Sequence, residues 1–511
     1  MRRMRTLVAV VTATATMSAV ACSPDSSTAT TSTSAATDSP TPMSETDERA
    51  ASRSGLYETS WPVPTADSWR TSSIATGGLP DDVQSSELRA QSVELGSTPI
   101  FGITHDDNTV FVLGGAPHLL DLFTKAQGND LPDTRPAALI EGYTESEAVK
   151  SVNPYVAKID SATMEAEILD LPKGTAANYP GSLVAHGNGK LYAVATATLF
   201  EIDPASFEIT RSLDLPLNST RPDSTIYNSL QVSARNGDLL LKTAPQQGSG
   251  LLVAVDTDAL QVRNQLDTAL STARMTSLVQ DDTEYIYLPG ETTTLRWVVT
   301  DDGFTPDPGW SQPYRTDDDG TKPGVAMTPT GDHDTVVFPN NNTVLVGVDA
   351  PLELFWQSMT DPSAGVSSVN ATSTDAPGGS FPPPPADPFT SSGVVAADAV
   401  NGRLAAWQLT DDDSLEQMWV SDEYAISIGA AIVADQGRLY IDDRECNADG
   451  SDCTLYLVVA DLTTGTELAR VEVAGSQPSI GRIFVGADAV YYIATQGEGG
   501  NGYVTKVTAT G

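Results

Sequence analysis

The sequence predicts an all-β fold: an eight-bladed β-propeller of four-stranded antiparallel blades, closed by an N-terminal strand in the last blade. Three observations carry that expectation. Residues 183–216 read as four short strands, an apolar hairpin recurs at a spacing near 47 residues, and the stretch before the first copy resembles the strand that the last copy lacks.

Within 183–216 an apolar run, 183–186, meets the tight reversal Gly187-Asn188-Gly189. Runs 190–195 and 198–202 follow, and the turn Asp203-Pro204-Ala205-Ser206 leads into 208–215. Four strands of this length joined by hairpin turns make one blade. The inner hairpin recurs at 100–113, 183–194, 230–242, 278–288, 325–338, 394–407, 431–441 and 483–493, with Asn-Gly, Gln-Gly, Asp-Asp or Thr-Gly chemistry in mid-turn. The steps from Leu183 to Leu230, Leu278 and Val325 are 47, 48 and 47 residues, a period that fits a four-stranded blade and its connections.

The outer hairpin repeats as an apolar strand ending in Asp, at Asp160, Asp203, Asp256, Asp349 and Asp461. A carboxylate at a strand end can accept bonds from backbone N–H groups two residues on. The string DLTTG at 461–465, with a similar string in 395–407, resembles the quinoprotein (PQQ-type) propeller repeat, and the resemblance covers roughly residues 86–511. It implies a propeller. Dehydrogenases of that family hold their cofactor against a disulfide between adjacent cysteines and a Ca²⁺ site. No adjacent cysteine pair exists in this sequence, so the resemblance is not extended to redox activity and no cofactor is expected.

The chain stops at YVTKVTATG (503–511), which aligns with 456–465, so the eighth copy lacks its outermost strand. Residues 86–100 resemble 466–480, an outer strand leading into the next blade. Residues 87–95 are therefore expected to pair with 503–508 and complete the eighth blade, removing the edges an open array would expose.

The first five residues carry three arginines, and 6–20 is a short apolar run ending in Ala19-Val20-Ala21-Cys22. This is the pattern of an exported chain. Cys22 after Val-Ala resembles the lipobox of bacterial lipoproteins, departing from it at Ala19, where that motif usually carries Leu. The resemblance implies acylation of Cys22, by palmitate among other chains, and anchoring at the extracytoplasmic face of the bacterial cell membrane. Arg2-Arg3 leaves twin-arginine export open beside general export. From Ser23 to about Ser60 the chain is Ser/Thr/Ala/Pro-rich. It cannot bury enough apolar surface to fold, and as a flexible tether it reaches about 35 Å. The expected organisation is a signal peptide at 1–21, a tether at 22–60, a lead-in segment at 61–85 and the propeller at 86–511.

Formal charge is −39 and the isoelectric point near 4.1. Nucleic acid and anionic lipid need clustered Lys and Arg, so neither is expected as a main partner. His105, His118, His186 and His333 show no zinc-ligand spacing, and no metal site is expected; the acidic runs 317–319 and 411–413 read as solvated loops. No Gly-x-Ser-x-Gly elbow appears. Cys446 and Cys453 lie in one loop and are expected to form a disulfide in an oxidising envelope.

In a four-stranded blade, turns one-to-two and three-to-four lie on one face, and loops two-to-three and the crossovers lie on the other. The first set is short. The second holds the insertions 114–152, 214–228, 304–323, 360–392 and 442–454, so this long-loop face is the candidate binding surface. Candidate ligand-binding residues there are Tyr179, Arg221, Tyr227, Arg274, Tyr314, Arg315, Lys322 and Arg482, because Arg and Tyr at a rim can hold a carboxylate, phosphate or sugar. Residues 118–126 read as a short amphipathic helix and 382–385 as a stiff proline loop. The expected function is an anchored binding or scaffold module, monomeric, similar to propeller lipoproteins that act as envelope scaffolds, with an envelope protein or small ligand as partner. Alternatives are an extracytoplasmic hydrolase or lyase with its site at the channel mouth and, third, a PQQ-dependent oxidoreductase.

Overall fold

The structure is a computed structural model and describes residues 52–106, 108–116, 151–172, 179–244, 249–269, 271, 273–315, 328–330, 334–339, 353–370, 393–398, 403–410, 414–424, 430–447, 453–496 and 501–510. Eight antiparallel sheets follow one another along the chain, almost entirely β. Blade 1 is Pro99–Asp106, Thr109–Gly114, Tyr155–Asp160 and Ala166–Asp170, in that spatial order from the axis outward. Blade 2 (Pro180–Ala185 to Glu208–Asp214), blade 3 (Tyr227–Val232 to Gln261–Thr268), blade 4 (Thr276–Gln280 to Gly303–Pro306) and blade 5 (Thr328–Thr330 to Val366–Asn370) repeat it. Three strands of blade 6 are described, Gly393–Asp398, Arg403–Leu409 and Leu415–Ser421.

The turn chemistry behaves as the sequence predicts. Asp203 Oδ1 accepts from Ala205 N at 3.0 Å and Ser206 N at 2.9 Å, and Asp461 Oδ1 accepts from Thr463 N at 2.9 Å and Thr464 N at 3.0 Å. Outer strands alternate exposed and half-buried residues, as in Glu208–Asp214, whereas inner strands are buried throughout, as in Pro180–Ala185. Inner strands lie between neighbouring blades, so both of their faces meet side chains.

Blade 8 closes as expected. Leu88–Ser97 pairs antiparallel with Asn501–Ala509, with Arg89 opposite Thr508 and Glu94 opposite Tyr503. Ser92 Oγ and Thr505 Oγ1 share a hydrogen bond of 2.8 Å across that seam, and Leu88 and Leu95 are buried beneath it.

The insertions are shorter than expected at three places, the first being 304–323, whose opening residues belong to the strand Gly303–Pro306 of blade 4. Val366–Asn370, inside 360–392, is the fourth strand of blade 5. Its Ser and Asn residues hide a strand that backbone pairing and the packing of Val366 and Val369 hold in place. In 442–454 the strands Arg438–Cys446 and Cys453–Asp461 run on past the blade as a long hairpin, with Cys446 directly opposite Cys453. Their sulfurs are bonded and their Cα atoms are 4.0 Å apart.

Residues 52–79 are more than a lead-in. They enter the ring and fill it. Tyr57 N donates to Ala185 O and Ala185 N to Pro62 O in blade 2, Thr104 N to Trp61 O in blade 1, and Ser277 N to Ser68 O in blade 4. Ser73–Ile74 then pairs parallel with Ala431–Val433, the inner strand of blade 7. Gly78 N donates to Gly486 O at the first turn of blade 8, and Leu79 N to Tyr440 Oη. Inner strands present an unpaired backbone edge to the axis; this segment satisfies several of those edges at once. Trp61, Val63, Ala66 and Leu79 are fully buried by it.

The plug both arrives and leaves on the short-hairpin face. Gly55 and Leu56 sit on the first turn of blade 2, at Gly187 and His186, and Ala75 and Gly78 sit at the first turns of blades 7 and 8. Between them the tip folds back tightly, with positive φ at Thr65 (84°), Ala66 (75°), Arg70 (62°) and Ser72 (52°). Four non-glycine residues in that region within eight positions store strain. Asp67 anchors the turn by accepting from Thr71 N (3.1 Å) and Thr71 Oγ1 (2.7 Å), while burial holds its carboxyl above the ordinary range.

Candidate functional site at the long-loop mouth

Four blades deliver residues to the mouth opposite the hairpin turns. Phe101 lies near the start of the inner strand of blade 1, and Gly181 near the start of that of blade 2. Lys242 lies one residue from the end of Leu239–Thr243 in blade 3. Arg274 lies in the crossover to blade 4, just before Thr276–Gln280. Strand starts and crossovers share one face by the alternation of the blade, so these four residues belong to the same end of the channel.

Arg274 reaches across that end. Its Nη1 donates to the Gly181 carbonyl at 3.1 Å, and its guanidinium carbon stands 4.3 Å from the centre of the Phe101 ring. Only glycine fits at 181: a Cβ there would come 2.0 Å from the Tyr227 carbonyl oxygen. That close approach of two inner strands leaves the Gly181 carbonyl where the guanidinium meets it. Lys242 is buried, and its Nζ donates to Ser271 O at 2.8 Å. Burial pushes the Lys242 ammonium well below the usual lysine range, and the Arg274 charge adds to the effect. Burial also lowers Arg274, with Tyr179 opposing it, and burial raises the Tyr179 hydroxyl against the pull of Arg274.

Arg274 and Lys242 differ from the described ion-paired cations, and like the more exposed Arg89, Lys158, Arg438 and Lys506 they donate to backbone carbonyls. Arg211 pairs with Glu201, Arg235 with Asp301, Arg263 with Asp238 and Asp256, Arg296 with Asp307, and Arg470 with Asp443, Glu445 and Glu467. Among the described residues neither Arg274 nor Lys242 has a carboxylate partner.

Beneath Phe101 the channel is shut. A residual cavity of ≈ 10 Å³, about one water, remains between Phe101, Gly102, Ile483 and Phe484 and the plug residues Trp61, Pro64, Thr65 and Ser72. On the hairpin face a separate cavity of ≈ 150 Å³ lies between blades 8 and 1, lined by Glu58, Asp106, Asp488 and Tyr491. One mouth is thus acidic and the other carries buried cations.

The remaining sequence candidates fall in different places. Tyr179 and Arg274 are brought together. Tyr227 Oη donates to Pro216 O at 2.7 Å, a bond within the crossover. Arg221 leads into a short 3₁₀ turn at Pro222–Ser224, where its N–H donates to Asn218 Oδ1 at 3.2 Å. Tyr314 donates to Gly290 O at 2.5 Å, its ring meets Phe338 and Phe355 edge-on, and Arg315 lies 5.3 Å over it. These last two form a separate patch at blades 4 and 5. Arg482 lies on Gln477–Val485 of blade 8, with its side chain outside the described residues. Lys322, Cys22, 118–126, 317–319, 382–385 and 411–413 also lie outside them. Sequence reasoning missed Phe101, Gly181 and Lys242, which read as ordinary strand residues. It missed the plug as well, although the apolar string Trp61-Pro62-Val63-Pro64 in a polar stretch was its one visible trace.

The adjacent-cysteine disulfide on which quinoprotein dehydrogenases hold their cofactor has no counterpart among the described residues. The one described disulfide joins Cys446 and Cys453 across a hairpin, and the channel is filled by the chain's own residues.

No protein-family profile matches the sequence, and no curated protein matches it. Solved structures do. A quinohemoprotein alcohol dehydrogenase from Comamonas testosteroni is 11% identical, with a TM-score of 0.53 over 91% of this chain and 84% of that one. Quinohemoprotein alcohol dehydrogenase ADHIIG from Pseudomonas putida HK5 is 10% identical, with a TM-score of 0.49 over 92% and 82%. The WD40 domain of SCAP from fission yeast is 9% identical, with a TM-score of 0.47 over 83% and 98%. At such identities the first of these likenesses speaks to the fold alone: an eight-bladed β-propeller.

Proposed function

We propose that the protein is a non-catalytic binding or scaffold module, tethered to the outer side of the cell membrane through acylated Cys22, that engages its partner with the long-loop face. The observation that carries this reading is the plug. Among the described residues, 61–74 bond the inner strands across the axis and leave a cavity of only ≈ 10 Å³ behind Phe101, which favours binding at the rim. The plug also supports an orientation. The first described residues, from Ser52 to Tyr57, sit on the hairpin turns, so a tether preceding them holds that face toward the membrane and turns the long-loop face outward.

Capture of envelope proteins from crosslinked living cells tests it. Partners recovered with the intact protein are expected to be lost when 117–150 and 371–392 are trimmed, a cut that spares the strand at 366–370. Recovery at the intact level after both trims contradicts the assignment of the face.

A further inference from the structure

Among the described residues, Arg274 and Lys242 are both buried and have no carboxylate partner. A charge removed from water costs several kcal/mol unless something pairs with it. A chain with 67 acidic and 28 basic residues has carboxylates in excess, and it places them on Arg211, Arg235, Arg263, Arg296 and Arg470. Among the described residues it places none against Arg274 or Lys242. The guanidinium has five donors in a fixed fork, and one bond to Gly181 O uses a single donor. The Phe101 ring covers one face of the plane, which fixes its tilt without neutralising it. Arg274 keeps 9% of its residue surface exposed, and Gly181 O and the Phe101 ring fix where its guanidinium stands.

We propose that this corner of the long-loop mouth binds an oxyanion group, a carboxylate or a phosphate, carried by a small ligand or by a partner's side chain. Arg274 makes the contact through its free donors, two of which can meet two oxygens in parallel. Lys242, deeper and fully covered, takes up its proton with the anion, whose charge offsets the burial that disfavours the ammonium. The Tyr179 hydroxyl lies within electrostatic range of Arg274 and tunes the same corner. An anion that docks here recovers the pairing the fold leaves out, in surroundings where such pairing is strong. The plug tip behind Phe101 limits the depth of the site to one such group. The inference deepens the reading of the long-loop face and rests on it for the location of the ligand.

The test is thermal unfolding of the full-length protein in detergent, titrated with sodium phosphate and, separately, with sodium succinate, against sodium chloride at matched ionic strength. The midpoint is expected to rise saturably with at least one of the two anions and not with chloride. The two arms distinguish a phosphate site from a carboxylate site. Arg274→Gln is expected to abolish the shift and Lys242→Met to weaken the apparent affinity at least tenfold. Arg274→Lys, which keeps the charge and loses the fork, is expected to retain a weakened response and serves as the folded control. No shift with either anion in the wild type, or a full shift in Arg274→Gln, overturns the proposal. Partner capture after loop trimming reads the other claim independently: anion binding with unchanged capture sinks the docking face and leaves the anion site standing, and the reverse pair of results does the opposite.

Discussion

Lys242 carries the clearest consequence of burial on a single residue. Its folded-state value lies well below the ordinary lysine range, near 10.4 in an unfolded chain. Between those values the unfolded chain binds the proton that the native protein gives up. Stability from this site therefore rises as pH climbs toward the unfolded value and is lost as pH falls through the folded one. In anion-free buffer at pH 7, Lys242→Met is expected to raise the thermal midpoint and to flatten its rise between pH 7 and 10. Circular-dichroism melts across that range check it; a lower midpoint at pH 7 contradicts it. Trp61, 2% exposed inside the ring, is the opposite case: Trp61→Ala is expected to cost about 3–5 kcal/mol in urea unfolding. Gly181→Ala sets a Cβ 2.0 Å from the Tyr227 carbonyl, and it is expected both to destabilise the blade 2–3 contact and to weaken anion binding by moving the carbonyl that orients Arg274. The chemistry of these residues was visible in the sequence only in part. Arg274 and Tyr179 were marked by type and by their place in crossovers. Phe101 could not be matched to Arg274, because a contact between blades 1 and 4 depends on closure of the ring, which no local pattern records.

Among elements, the strand Leu88–Ser97 and the plug differ in how they announce themselves. The strand was legible because it copies an outer strand: its alternation and its match to 466–480 gave both its existence and its partner, and Glu94 does lie opposite Tyr503. The plug is held mainly by backbone bonds to inner-strand edges, and such bonds ask for almost nothing from side chains. Val366–Asn370 was missed because its Ser and Asn residues hide the strand. Closure predicts a global effect. Leu88→Asp with Leu95→Asp buries two carboxylates under the seam, and a single cooperative urea transition, followed by tryptophan fluorescence, is expected to move to lower denaturant as a whole. A separate early step with the main transition unmoved contradicts a closed ring. The Cys446–Cys453 bond is less important: it closes a short loop that strand pairing already holds. Its removal is expected to cost about 2 kcal/mol at most, with the fold intact in circular dichroism.

For the whole molecule, eight copies of one unit make a ring whose two mouths have different fates. The hairpin mouth receives the N-terminal segment and carries Glu58, Asp106 and Asp488; the long-loop mouth carries Arg274, Lys242 and the insertions. The sidedness follows from blade alternation and was legible in loop lengths alone. That residues 61–74 occupy the axis was not. The most direct measurement of this account is amide hydrogen exchange on the full-length protein, read peptide by peptide. Residues 57–79 are expected to exchange as slowly as the inner strands they cover, including Thr104, Ala185, Ser277 and Ile432. If 57–79 instead exchange at the rate of unstructured peptide while the blades stay protected, the ring is open through its centre and the account fails.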